Sequence, residues 1–295
     1  MDVFNEEKIK EDLRFLTGKG NWRGGQLDMT QLFNVAREWK KICKGHDKLW
    51  LCWNVDPEWC LVQQKLVKEM GWTPLVGSDS RAKKAKLIDG AIEINFNENL
   101  DLPMFHMVLA VEFAFLYIEG KMAFWHSDLL IRRAKLKSIA GMMENLGEND
   151  MLVTKPGLGM KAKILRKEGR YWELVACTTK AASEHQFMHG AGWMSNITCH
   201  PMAVQSDKER IRRAKQYYDH GAGVYYWSKN YKPESWGMVF IEENYIDEGH
   251  FTRIRAKKYQ LTSPNNERRD LTSELALNFD LHAECEKLGL GDLTS

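Results

Sequence analysis

Apolar residues along this chain fall into short runs and longer periodic stretches, and the two kinds alternate. Leu49-Trp-Leu-Cys-Trp53 is a short apolar run of strand type that ends at Asn54, Val55 and Asp56. Pro57 then opens a predicted helix that runs to Met70 and closes at Gly71. Thr73 to Val76 reads as a second strand before Gly77-Ser-Asp-Ser80, and Ala91 to Phe96 alternates like a third. From Leu102 to Ile118 the chain is apolar apart from Pro103, His106 and Glu112, with Asp101 placed as an N-cap and Gly120 as a stop. A helix apolar all round is buried or spans a bilayer. This one is at the short limit for a span and carries two ionisable residues, so a central core helix is expected. Met122 to Trp125 follows as a buried strand that emerges into His126, Ser127 and Asp128.

The second half is less regular. Residues 132–146 read as a helix, residues 171–177 as a strand, and residues 207–217 as a basic helix. Trp236 to Ile241 is apolar, and a last amphipathic helix is expected at about 272–288. Residues 5–17 and 28–44 look helical and are expected to pack on the main sheet. Strands alternating with helices imply an α/β class with a mainly parallel sheet. Asn54, Ser78 to Ser80 and Asp128 would then share one edge, the one at which open α/β sheets collect ligands. No internal repeat or low-complexity tract interrupts the chain.

Composition narrows the partners only slightly. With 44% hydrophobic residues, 295 residues can bury a large core. A formal net charge of +2 sets no global demand for an anionic partner. The six cysteines form no CxxC pair and read as reduced thiols of a cytoplasmic protein. The first residues lack the basic and apolar regions of a signal peptide, and no membrane partner is expected.

Four constellations could carry chemistry. Asp128 and His250 each follow an apolar strand-like segment, and a carboxylate with an imidazole suits Mn²⁺ or, less well, Mg²⁺. Glu184 stands beside His185 and His189. The order Glu-His-x-x-x-His departs from the zinc protease pattern, which leaves Glu184 as a candidate acid, base or hydroxyl-orienting group, or a simple first-turn carboxylate. Gly190-Ala-Gly-Trp193 and Gly221-Ala-Gly-Val224 permit close backbone approach to a ligand. Asp219 and His220 precede the second pair beside Tyr217, Tyr218, Tyr225, Tyr226 and Trp227, a sugar- or base-binding shelf or ordinary core packing. Finally, Arg132, Arg133, Lys135 and Lys137, with residues 161–170 and 208–215, form basic runs. They would make a nucleic-acid track if they shared one side.

The order of these elements resembles the GT-A glycosyltransferases that use nucleotide sugars. In that family a late strand of an α/β/α sheet ends in an Asp-x-Asp motif that holds a divalent metal against the donor diphosphate. His126-Ser127-Asp128 sits at that place, with Asp128 matching the last Asp and His126 standing where the family has the first. The resemblance covers about residues 48–252. It implies a catalytic domain at 48–262, an N-terminal helical extension at 1–47 and a C-terminal helical tail at 263–295. It further implies that Asn54, Asp79 and Arg81 contact the nucleotide with His126 and Asp128, and that His250 completes the metal shell. Glu184 and Asp219 would be the candidates for acceptor activation. The implied partners are a nucleotide diphosphate sugar and an acceptor hydroxyl, extending to a hydroxymethylated pyrimidine in DNA of the kind some viral enzymes glycosylate, which would place the chain in a host cytoplasm. Two other readings stay open: a nucleic-acid-binding protein without catalysis, and a metal-dependent hydrolase.

Overall fold

The computed structural model describes residues 37–78, 84–94, 119–155, 171, 174–189, 222–249 and 280–294. These build a seven-stranded sheet: β1 (Lys48–Asn54), β2 (Thr73–Ser78), β3 (Ile92–Ile94), β4 (Lys121–Trp125), β5 (Met151–Lys155), β6 (Val175–Thr179) and β7 (Met238–Glu242). Their order across the sheet is β3-β2-β1-β4-β6-β5-β7. Neighbours pair in parallel except at β6, which runs antiparallel to both β4 and β5. The expected α/β class with a mainly parallel sheet is therefore present.

The inner strands β1, β2, β4, β5 and β6 are buried along most of their length because both faces of the sheet are covered there. Trp50, Cys52, Ala123, Trp125 and Cys177 face one layer, made by helices α1 (Pro57–Glu69), α2 (Arg133–Glu144) and α5 (Leu281–Lys287), and all join one core cluster. The Trp50 ring packs on Trp125 at 5.1 Å and edge-on against Trp72 at 5.6 Å. On the other face Leu49, Leu51, Phe124 and Val153 are equally buried. There α3 (Lys180–Met188) meets β6 through a 3.1 Å contact between the Ser183 and Thr178 hydroxyls. Helix α4 (Ala222–Asn230) joins α3 through Trp227, whose indole N–H donates to Nδ1 of His185 at 3.1 Å.

Local chemistry explains the first β-α-β unit. Asp56 caps α1 by accepting from the amides of Glu58 and Trp59, Pro57 occupies the first turn, and Gly71 takes φ +76° after the helix. The stripe Trp59, Cys60, Val62, Leu66 and Val67 then seats the helix on β1 and β2.

Several expectations are refined. The strand expected at 171–177 is displaced to Val175–Thr179, because Thr178 and Thr179 pair with Met122 and Lys121 of β4. Strand β5 carries no expectation from the sequence. Asp150 sets it up by accepting from the amides of Gly147 and Gly237, which aligns the starts of β5 and β7. The Gly221–Val224 segment, read as a ligand-approach loop, enters α4 at Ala222. Within the described residues the last helix begins at its N-cap, Asp280. The apolar segment 102–118, the basic runs at 161–170 and 208–215, Asp79, Arg81, Gly190–Trp193, Asp219 and His250 lie outside the described residues.

The five described cysteines are buried. Burial pushes the Cys43 and Cys285 thiols up to about 11 and that of Cys60 up to about 12. Among the described residues no helix is long and apolar enough to cross a membrane.

Candidate functional site

A sheet of this order has a switch point between β1 and β4. From β1 the connection through α1 leads to β2 on one side, while β4 lies on the other. Ligands of open α/β sheets bind in the crevice outside the strand carboxyl ends at such a point. The residues delivered there are Asn54-Val55-Asp56 after β1 and His126-Ser127-Asp128 after β4.

The chain leaves β4 through a tight turn. His126 extends the ladder by donating its amide to Leu174 at 2.9 Å, and Leu129 donates back to the His126 carbonyl at 3.2 Å. This geometry turns the first and third residues of the motif together: His126 Nδ1 lies 3.7 Å from Asp128 Oδ1, with each side chain about one-fifth exposed. Ser127, between them, is buried. Beneath the turn, Gln63 of α1 donates through Nε2 to the carbonyls of His126 and Leu129, at 3.0 and 2.9 Å.

A distant part of the chain reaches the same turn. Leu130 donates its amide to the Gly249 carbonyl at 2.9 Å. Gly249 packs so closely on Leu130 that a Cβ there would fall 1.8 Å from the Leu130 carbonyl oxygen. Glu248, just before it, meets Lys135 Nζ at 3.0 Å and Arg132 Nε at 3.2 Å. These cations, led by the Lys135 hydrogen bond, hold the Glu248 carboxyl below its usual value. The residue that follows Gly249 in sequence is His250.

Asn54 is fully buried, and its Nδ2 donates to the Ser78 hydroxyl at 3.0 Å, joining the ends of β1 and β2. Glu184 is not brought to this edge by its strand. Because β6 is reversed, Thr179 pairs with Lys121 at the start of β4, and α3 departs from there. His185, next to Glu184, lies with its ring 4.6 Å from Trp236, just before β7 begins. Glu184 itself sits 4.0 Å from Lys180, one helical turn earlier.

The basic run after Asp128 is already engaged. Arg133 forks onto Glu69 (2.8 and 3.1 Å) and onto Asp292 (2.9 and 2.6 Å). Arg132 donates to the Lys287 carbonyl at 2.8 Å as well as facing Glu248. Lys135 divides its charge between Glu248 and the Tyr245 ring, 5.1 Å away. Carboxylates of the chain thus engage Arg132, Arg133 and Lys135 of this run.

Sequence reasoning missed Gln63 and the role of Gly249. Gln63 had a signal: the 3- and 4-residue spacing of Trp59, Cys60, Leu66 and Val67 places it on the buried stripe of α1, where a polar residue needs a partner. Gly249 had none, since its need arises only from contact with Leu130.

No family model matches the chain, and neither a curated protein nor a solved structure matches it.

Proposed function

We propose that the chain is a metal-dependent glycosyltransferase with a GT-A-like sheet, moving a sugar from a nucleotide diphosphate sugar to an acceptor hydroxyl. One observation carries the reading. The His126–Asp128 turn stands at the β1/β4 switch point and is hydrogen-bonded, through Leu130, to the segment that leads into His250.

The donor set fits a divalent cation. An imidazole nitrogen and a carboxylate oxygen 3.7 Å apart are close enough to share one ion, and they suit Mn²⁺ better than Mg²⁺. Among the described residues no group of three or more His, Cys, Asp or Glu is placed to hold a metal ion, so these two donors stand without a third. His250 and the donor diphosphate would supply the rest. Such an ion contributes positive charge against the departing diphosphate. The chain's part is to hold Asp128 and His126 on the rigid end of β4 and to fix the crevice floor through the Asn54–Ser78 bond. Asp79 and Arg81 follow Ser78 in sequence and are assigned to the nucleotide. Asp219 remains the candidate for acceptor activation. Glu184, which departs with α3 from the opposite edge, is not needed for this reading. A hydroxymethylated pyrimidine in DNA is the acceptor to try first.

The test is a set of melting curves against a panel of nucleoside diphosphates, with and without Mn²⁺, for the wild type and Asp128→Asn. A rise for one nucleotide that requires Mn²⁺ and disappears in Asp128→Asn supports the reading. No rise with any nucleotide, or an equal rise in the variant, removes it.

A further inference from the structure

Gln63 is an expensive residue to keep where it is. It is fully buried on the apolar stripe of α1, and its Oε1 has no hydrogen-bond partner among the described residues. Its amide orientation is dictated by the two carbonyls it faces, which accept and cannot donate. A leucine or methionine would fill the same volume without burying an unmatched acceptor. What the glutamine supplies is a two-point fastening of the His126–Leu129 turn, at the first carbonyl and the last. These are the two backbone positions that bracket Ser127 and Asp128.

We infer that Gln63 is a positioning residue for the divalent-cation site, setting the His126–Asp128 turn so that the two side chains converge. The inference rests on the metal reading given above. Groups that orient metal ligands without touching the metal typically change affinity by about 10–100-fold when removed. The adjacent Gln64 is the internal comparison. It is as deeply buried and similarly bonded, donating to the Lys86 carbonyl at 2.8 Å and accepting from the Ile88 amide at 3.2 Å, but these bonds lead away from the turn. A general packing role would be common to both residues, whereas a positioning role belongs to Gln63 alone.

The experiment measures Mn²⁺ binding to the full chain by water-proton relaxation, without nucleotide, alongside melting temperature. Gln63→Met is expected to weaken Mn²⁺ binding by about tenfold or more. Gln64→Met is expected to lower the melting temperature but leave Mn²⁺ binding within about twofold, the effect expected without such a contact. If Gln63→Met does not fold, Gln63→Asn carries the same expectation, because it keeps an amide but withdraws it by one carbon. Mn²⁺ binding unchanged in the Gln63 variant, or lost equally in Gln64→Met, overturns the positioning role while leaving the metal site standing. A wild type that binds no Mn²⁺, or an Asp128→Asn that binds it equally well, overturns the site and the inference together.

Discussion

Leu130 and Gly249, far apart in sequence, are joined by a 2.9 Å backbone hydrogen bond, and Gly249 fits there only because it has no side chain. Gly249→Ala is therefore expected to destabilise the fold by about 1–3 kcal/mol, the usual cost of forcing a methyl into a packed site. It should also push the segment leading to His250 away from Asp128. Chemical denaturation measures the first effect and Mn²⁺-linked nucleotide binding the second. Wild-type values for both would show that the backbone here is free to move apart.

Glu248 ties the same segment to α2. Its folded carboxyl is held below the ordinary value of 4.5 by Lys135 and Arg132. A depressed carboxylate contributes stability that is present above the unfolded value and lost as pH falls through the lower folded one. Wild type should exceed Glu248→Gln in melting temperature at neutral pH, and the gap should close as pH drops below 4.5. A gap independent of pH would mean that the ion pairs contribute nothing.

His185 should produce a second pH dependence higher on the scale. Burial, then the neighbouring His189, lower its pKa from 6.5, and its Nδ1 accepts the Trp227 indole proton only while neutral. The unfolded ring takes a proton more readily, so this contribution is full above pH 6.5 and fades as pH falls through the folded value. Denaturant midpoints should drop more steeply below 6.5 in the wild type than in His185→Gln. Parallel slopes would remove His185 from the titration.

Thr154 stands in for part of the sheet ladder. Strands β5 and β6 pair at Met151–Thr178 and Leu152–Cys177. Beyond these the Thr154 hydroxyl donates to the Val175 carbonyl at 2.7 Å and accepts its amide at 3.0 Å. Thr154→Val would leave two buried backbone groups without these bonds, an expected loss on the order of 2–4 kcal/mol. Urea denaturation checks this, and a loss below about 1 kcal/mol would mean the strands close up unaided.

Much of the frame was legible in the sequence. The runs ending at Asn54, Val76 and Trp125 announce three strands, and Pro57 and Gly71 bracket α1, because these signals are local. The reversal of β6 was not legible: Val175 to Thr179 is buried like the strands that run in parallel, and direction leaves no mark on a strand covered on both faces. Glu184, offered by the sequence as a candidate acid or base, leaves with its helix from the edge opposite Asp128 because of that reversal. The cationic run after Asp128 shows a second limit of local reading. Arg133 stands in the sequence as one member of a conditional nucleic-acid track, and its partners Glu69 and Asp292, remote in sequence, leave no local sign there.

The C-terminal stretch that occupies these cations has a consequence for biosynthesis. Carbonyls of Lys287, Gly289 and Leu293 receive Arg132, Arg133 and Lys65, so residues 280–294 brace the two helices that frame the His126 turn. A nascent chain on the ribosome can pair β1, β2 and β4 long before that brace exists. Until residues 280–294 have been made, α1 and α2 would lack that brace and the apolar face under α5 would stay uncovered, the part most in need of a chaperone.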